Sequence, residues 1–366
     1  MTFSVKPVIP DWSKGNMLIS AKHSTRHTRI YYSERAHYFV RQMVINASVS
    51  IICMLPAVLC GQTEYKPAAA FDLYGGVASM SMPAFDAITL TDTHVYATCR
   101  VGTQLRILQL SRLGTIVSER TVNLPGSLLA STIDKSGEVH LLVSMRDGTT
   151  QIHRYAAAGE HQEFPLISPA RALATLGDSV VFLGSDGTAR MLKANGVIEV
   201  LNRVHIVPAY ANKYDLVALD AYALAVIDRY ANQIRIIDLR TGSETITAVG
   251  APEVDESLKK INSIVAASPQ GVRVAAPVLF HAVASDGNGN LYLGVAPGAL
   301  RRGMQVVQVG RDGKYVRSMR LLPTAIPRLK SDSNKLGLSL QRNLSIAGST
   351  AATVTPDGLI SLFTLQ

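Results

Sequence analysis

Four side chains able to do chemistry stand at one position of a repeating pattern. Asp86, Arg171, Asp215 and His281 each lie five to seven residues before a turn that contains aspartate. Two carboxylates, a guanidinium and an imidazole brought to one place would hold a small polar or ionic ligand. Two further units carry Leu128 and Ala351 at the same position. Calcium takes about six to eight oxygen ligands, more than two carboxylates supply. Ion pairing among such groups is ordinary, so the expected set is a non-catalytic ligand site with no cofactor. The alternative is a metal-dependent hydrolase or lyase, lactonase-like, with calcium or zinc held by Asp86, Asp215 and His281.

Other chemistry is thinly represented. The sequence has no G-x-S-x-G elbow, phosphate loop, H-E-x-x-H or C-x-x-C. Asp286-Gly-Asn288-Gly-Asn290 opens like a calcium loop, but Leu291 and Pro297 stand where glycine and glutamate are required. It reads as a hairpin turn. Of the nine histidines, His23, His27 and His37 precede the apolar stretch, and His94, His140, His153, His161, His205 and His281 are scattered. No two share the spacing of ligands on one element, so they read as solvated or hydrogen-bonded side chains. Cys99 alone falls in the body of the chain and reads as a small buried hydrophobe.

The elements that must position these residues are strands. From residue 85 onward, short runs rich in Val, Ile, Leu, Tyr and Thr alternate with Asp/Gly turns, as pleated and largely buried segments require. Anchoring aspartates fall at 92, 134, 178, 220, 286 and 357, at intervals of 42, 44, 42, 66 and 71. Three intervals equal one four-stranded propeller blade of about 40–50 residues. The longer two read as a blade plus an insertion, the first of them a short helix over Ala251–Ala267 and the second a loop over Leu322–Leu344. The expected fold is all-β, a six-bladed β-propeller with an N-terminal signal segment, a seventh blade drawn from an insertion being the alternative. The candidate residues would then start the innermost strands and face the central channel. Both insertions would project from one face. Ring closure is expected from residues 71–82 pairing with a last blade that draws two strands from the C-terminus.

One unit carries a more specific pattern. Ala225-Val-Ile-Asp228-Arg-Tyr-Ala-Asn232-Gln233-Ile-Arg235-Ile-Ile-Asp238-Leu-Arg-Thr-Gly242 resembles the NHL repeat of six-bladed propellers. A strand ending in Asp, a turn with Asn and a strand reading Arg-Ile-x-x-Asp before glycine carry the resemblance. Weaker echoes are His94-Val-Tyr-Ala-Thr with Gln104-Leu-Arg-Ile-Leu, and Asn290-Leu-Tyr-Leu with Met304–Gly313. The resemblance implies a fold and leaves function open.

Charge and hydropathy separate residues 1–61 from the body, 62–366. The net charge of +9 is concentrated at the front, where seven Lys/Arg oppose only Asp11 and Glu34. That basic stretch runs into the apolar segment Met43–Leu59 and then Cys60-Gly61. A positive region, an apolar segment and a small-residue end form a signal-peptide or lipoprotein-signal pattern, with Cys60 the candidate for lipidation. The expected address is exported: periplasmic, secreted or envelope-anchored, with membrane contact only through the signal or a lipid. An uncleaved anchor would make the body a membrane-anchored sensor. The nearly neutral body lacks the basic footprint of a nucleic-acid binder. The expected partner is a protein or small molecule.

Overall fold

The computed structural model describes residues 63–73, 85–204, 214–267, 278–295, 303–322, 343–355 and 358–366. Residues 1–60 and 61–366 form separate units, and the description concerns the second. Two short strands, β1 (Thr63–Tyr65) and β2 (Ala69–Asp72), open the chain's described part and join two of its six sheets, whose other strands pair antiparallel. Blade one is β3 (Phe85–Leu90), β4 (His94–Val101), β5 (Gln104–Ser111) and β6 (Ile116–Asn123). Blade two is β7 (Ser127–Ile133), β8 (Val139–Ser144), β9 (Thr150–Tyr155) and β10 (His161–Pro165). Blade three is β11 (Ala170–Leu176), β12 (Ser179–Gly184), β13 (Thr188–Leu192) and β14 (Ile198–Arg203). Blade four is β15 (Tyr214–Asp220), β16 (Ala223–Asp228), β17 (Gln233–Asp238) and β18 (Glu244–Thr247), followed by helix α1 (Pro252–Ala266). Blade five is β19 (Phe280–Ser285), β20 (Leu291–Val295), β21 (Met304–Val309) and β22 (Tyr315–Leu321). Blade six is β23 (Leu344–Ala347), β24 (Thr350–Val354) and β25 (Leu359–Thr364), completed by β2.

The core follows the ring. Six buried apolar clusters are found among the described residues, one at each junction of neighbouring blades. The junction of blades six and one is filled like the others, by Ile360 and Leu362 against Val95 and Leu110. Six junctions with none left open define a closed six-bladed β-propeller. Second strands such as Ser179–Gly184 are buried on both faces, which explains their nearly unbroken apolar sequence.

The aspartates build the turns. Asp134 Oδ1 accepts backbone N–H groups from Ser136 and Glu138, and Asp220 Oδ1 accepts that of Tyr222. Asp286 Oδ1 accepts those of Asn288 and Asn290, so the calcium-like sequence is a hairpin turn. The helix occupies the first expected insertion. Proline opens it, acidic Glu253 and Asp255 sit in its first turn, and Val254 and Ile261 enter the core of blades four and five. Residues 323–342 of the second insertion lie outside the described residues.

Two expectations change in the sixth blade. Its first hairpin is Ala347-Gly348-Ser349, one strand earlier than the anchor at Asp357, which lies outside the described residues. Ala351 therefore belongs to the second strand, and three strands come from the C-terminal segment rather than two. The closing strand is Ala69–Asp72, paired antiparallel with β25 from Ala69↔Leu362 to Asp72↔Leu359. It overlaps the expected 71–82 only at its end, and residues 74–84 lie outside the described residues. A further parallel strand, β1, edges blade five.

Close backbone approach fixes one glycine. A Cβ at Gly126, in the connection from β6 to β7, would overlap the backbone oxygen of Ser144. A backbone oxygen within a sheet cannot step aside as a side-chain tip can. Gly126→Ala is expected to lower stability by about 2 kcal/mol, measured by urea denaturation. An unchanged midpoint would show that the connection relaxes freely.

Candidate functional site

Strand parity decides which residues share an end of the ring. Within each blade, neighbouring strands run antiparallel. The starts of the inner strands, the turns between second and third strands, and the outer-to-inner connections therefore lie at one end. That end carries α1, the attachment points of the second insertion, and all four candidate residues.

A recurring irregularity marks the same place. The ladder between first and second strands skips at Asp86, at Arg171 and at His281, and in blade two at Leu129. Each skip is a β-bulge, which bends the strand and re-aims the side chain of the extra residue. Three of the four sequence-derived candidates are thus the bulged residues of their strands. Asp86 has only its backbone among the described residues. Arg171 is half-buried. In blade two the bulged residue is Leu129 rather than Leu128.

Asp215 and His281 are linked by a residue that the sequence pattern hid. Arg229, in the turn after β16, is buried, and its Nε lies 3.3 Å from Asp215 Oδ2. Its backbone carbonyl accepts the N–H groups of Leu279 and Phe280, at 2.7 and 3.0 Å. One arginine thus neutralises the Asp215 carboxylate and pins the start of the strand that carries His281. Arg229 had stood in the NHL-like segment as a turn residue; its place between second and third strands is the signal that puts it at this end.

His281 is buried, and neither ring nitrogen has a hydrogen-bond partner. Loss of hydration, followed by the nearby Arg229 charge, pushes its pKa down to about 4. The imidazole is therefore neutral at physiological pH. Gly294 on β20 makes room for it, since a Cβ there would stand 3.3 Å from His281 Nε2 and 2.8 Å from the Ala282 methyl. The cluster presents a neutralised carboxylate, a buried cation and an uncharged imidazole. Such a set can recognise a polar group. The Arg229 charge beside both Asp215 and His281 opposes a metal cation bound between them.

The remaining histidines are dispersed differently from one another. His94 meets Thr93 through Nδ1, and His140 Nε2 lies 3.2 Å from Asp134 Oδ2 in a buried turn. His153 and His161 come together on blade two. His23, His27, His37 and His205 lie outside the described residues, as does Cys60. Cys99 is buried in the core between blades six and one. No helix among the described residues is long and apolar enough to cross a membrane.

Comparison with known proteins finds only distant likeness. The chain matches no family model, and no curated protein matches it. A solved structure of a catalytically inactive virginiamycin B lyase from Staphylococcus aureus with quinupristin is similar at 14% identity and a TM-score of 0.46, over 81% of this chain and 99% of that one. A streptogramin B lyase is similar at 17% identity and 0.42, over 81% and 87%. The WD40 repeats of RRP9 are similar at 10% identity and 0.49, over 80% and 96%. These neighbours include enzymes and repeat domains, and likeness at this level assigns no activity to the chain. The class defined by its own strands is the six-bladed β-propeller.

Proposed function

We propose that the protein is an exported, non-catalytic β-propeller of the NHL-like kind, which holds a ligand or protein partner at the end of the ring bearing the insertions. The observation that carries this reading is the state of the ionisable groups there. Asp215 is paired with Arg229 and His281 is held uncharged, which suits recognition better than proton transfer or metal-assisted hydrolysis. Long connections at the same end supply variable surface around a rigid scaffold. The basic segment running into Met43–Leu59 and Cys60 supports export, by cleavage or by lipid attachment.

The test is photo-cross-linking in cells, with the probe at Ile167 or at Leu113. These side chains are 99% and 87% exposed and lie at opposite ends of the ring. A discrete adduct from Ile167 and none from Leu113 supports the reading. Divalent-dependent turnover of a lactone or ester panel, lost in Asp215→Asn, overturns it in favour of the hydrolase.

A further inference from the structure

Outside the channel, three metal-ligating side chains converge on the outer hairpin of blade two. In β9 and β10 the register sets Glu163 directly opposite His153, and His161 opposite Tyr155. Residues two apart along a strand share a face, so all four side chains lie on one side of the hairpin. His153 Nδ1 stands 3.0 Å from His161 Nε2. Glu163 Oε1 stands 3.8 Å from the first nitrogen and 3.7 Å from the second. Zinc binds nitrogen and carboxylate oxygen at about 2.0–2.2 Å, so tetrahedral ligand atoms stand about 3.3–3.6 Å apart. The three observed separations bracket that value.

The surroundings hold the donors in place and leave a way in. His153 is almost wholly buried, whereas His161 and Glu163 reach solvent. The Tyr155 ring stacks on His161 at 4.4 Å between centroids, with the planes 8° apart, which fixes the imidazole's orientation. Burial holds the His153 pKa below the usual imidazole range. A cavity of about 620 Å³, lined in part by Arg120, Leu124, Tyr155, His161 and Glu163, opens beside the cluster. It leaves a coordination position facing solvent. A second acidic cluster on this blade, Asp134, Glu138 and His140, lacks such freedom. Asp134 Oδ1 accepts bonds from Ser136 and Glu138, and Glu138 is held by Arg154 at 2.6 Å.

From this geometry we infer that His153, His161 and Glu163 form a binding site for a divalent transition-metal ion of the zinc class. Two imidazole nitrogens and one carboxylate suit zinc or cobalt, whereas calcium requires a cage of oxygens. The proton shared between the facing nitrogens moves to an outer ring nitrogen as the ion enters, so both lone pairs become ligands. The site lies on the outer hairpin of blade two, apart from Asp215, Arg229 and His281.

The purified chain, stripped by chelator, is titrated with Co²⁺ and then Zn²⁺, following visible absorption and heat. The expected result is one saturable equivalent, with cobalt displaced by zinc. His161→Ala, at a solvent-reaching position, is expected to weaken binding by more than roughly 100-fold, beyond the 10–100-fold cost of losing an outer partner. Glu163→Gln is expected to weaken it by at least about tenfold, and Asp215→Asn to leave it unchanged. Circular dichroism of each variant establishes that the fold is kept. No saturable binding, or binding untouched by His161→Ala, overturns the inference. Binding lost in Asp215→Asn alone overturns it too, and separately tells against the non-catalytic reading of the channel.

Discussion

Lowering the pH from about 7 to below 4 is expected to remove about 3 kcal/mol of folding stability through His281 alone, and His281→Leu to abolish that share. The folded imidazole has a pKa pushed down to about 4 from an ordinary 6.5. Between those values the unfolded chain binds a proton that the folded chain refuses. Stability is therefore full above about 6.5, declines as pH falls through the window, and stops declining through this group below about 4. Burial is the first cause and the Arg229 charge the second. Leucine brings neither charge nor orphaned nitrogens, so at neutral pH the variant should be at least as stable as the parent. His153, also lowered by burial, adds dependence of the same sign, and carboxylates such as Asp134 contribute further down the scale. Those contributions remain in the variant. Urea midpoints over a pH series decide the matter, and parallel curves for the two proteins would rule out the proposed role of His281.

Removing residues up to 73 is expected to do the greatest damage to the fold. The deletion takes away β2, the outer strand of blade six, together with the β1 edge of blade five. It strips Phe71 and Leu73 from the core between blades six and one. Partial burial of those two side chains is worth about 3 kcal/mol before any ladder hydrogen bond is counted. The Phe71 ring lies where a Cβ of Gly114 would be, so it also bridges the seam to the turn between β5 and β6. Gly114 has a φ of 85°, and any larger residue there meets both strain and the ring. The truncated chain should unfold at a clearly lower urea midpoint and self-associate through the bared edge of β25. Gly114→Leu should reproduce part of the loss in the full chain. A truncated monomer with the parent's midpoint would show that the seam strand is dispensable.

The regular part of this fold was readable because an aspartate stands at the first turn of each of the first five blades. In blades two, four and five its carboxylate accepts backbone N–H groups of that turn. Aspartates accepting backbone N–H groups two and four residues on leave a local signature, and their spacing counted the blades. Blade six displaced its anchor by one strand because its first turn uses Gly348, with φ of 55°, in place of an aspartate. The seam strand carries no local signal either, since Ala69–Asp72 is defined by a partner nearly three hundred residues away. The channel residues were found by position along a strand, and the bulges explain why that position matters. Arg229 was not found because its role depends on the fold bringing a turn beside Asp215. His153, His161 and Glu163 appeared scattered because their proximity depends on a hairpin register. The turn Ala156–Glu160 sets it, with Ala156 N–H bonded to the Glu160 carbonyl and Gly159 N–H to that of Ala156.

Pairing of Ala69 with Leu362 also sets a timetable. A ribosome delivers β2 before blade one and β25 after the other strands of the ring, so the seam has no partner strand until all the blades have been made. Blades one to five can form in order of appearance, each contacting the one before. Throughout that interval the growing arc has a bare edge at its leading blade, and β2 waits without a sheet. The step that protects both joins residues nearly three hundred positions apart, and contacts of that kind form slowly. The chain is therefore most exposed to aggregation and proteolysis while five blades are built and the ring is still open.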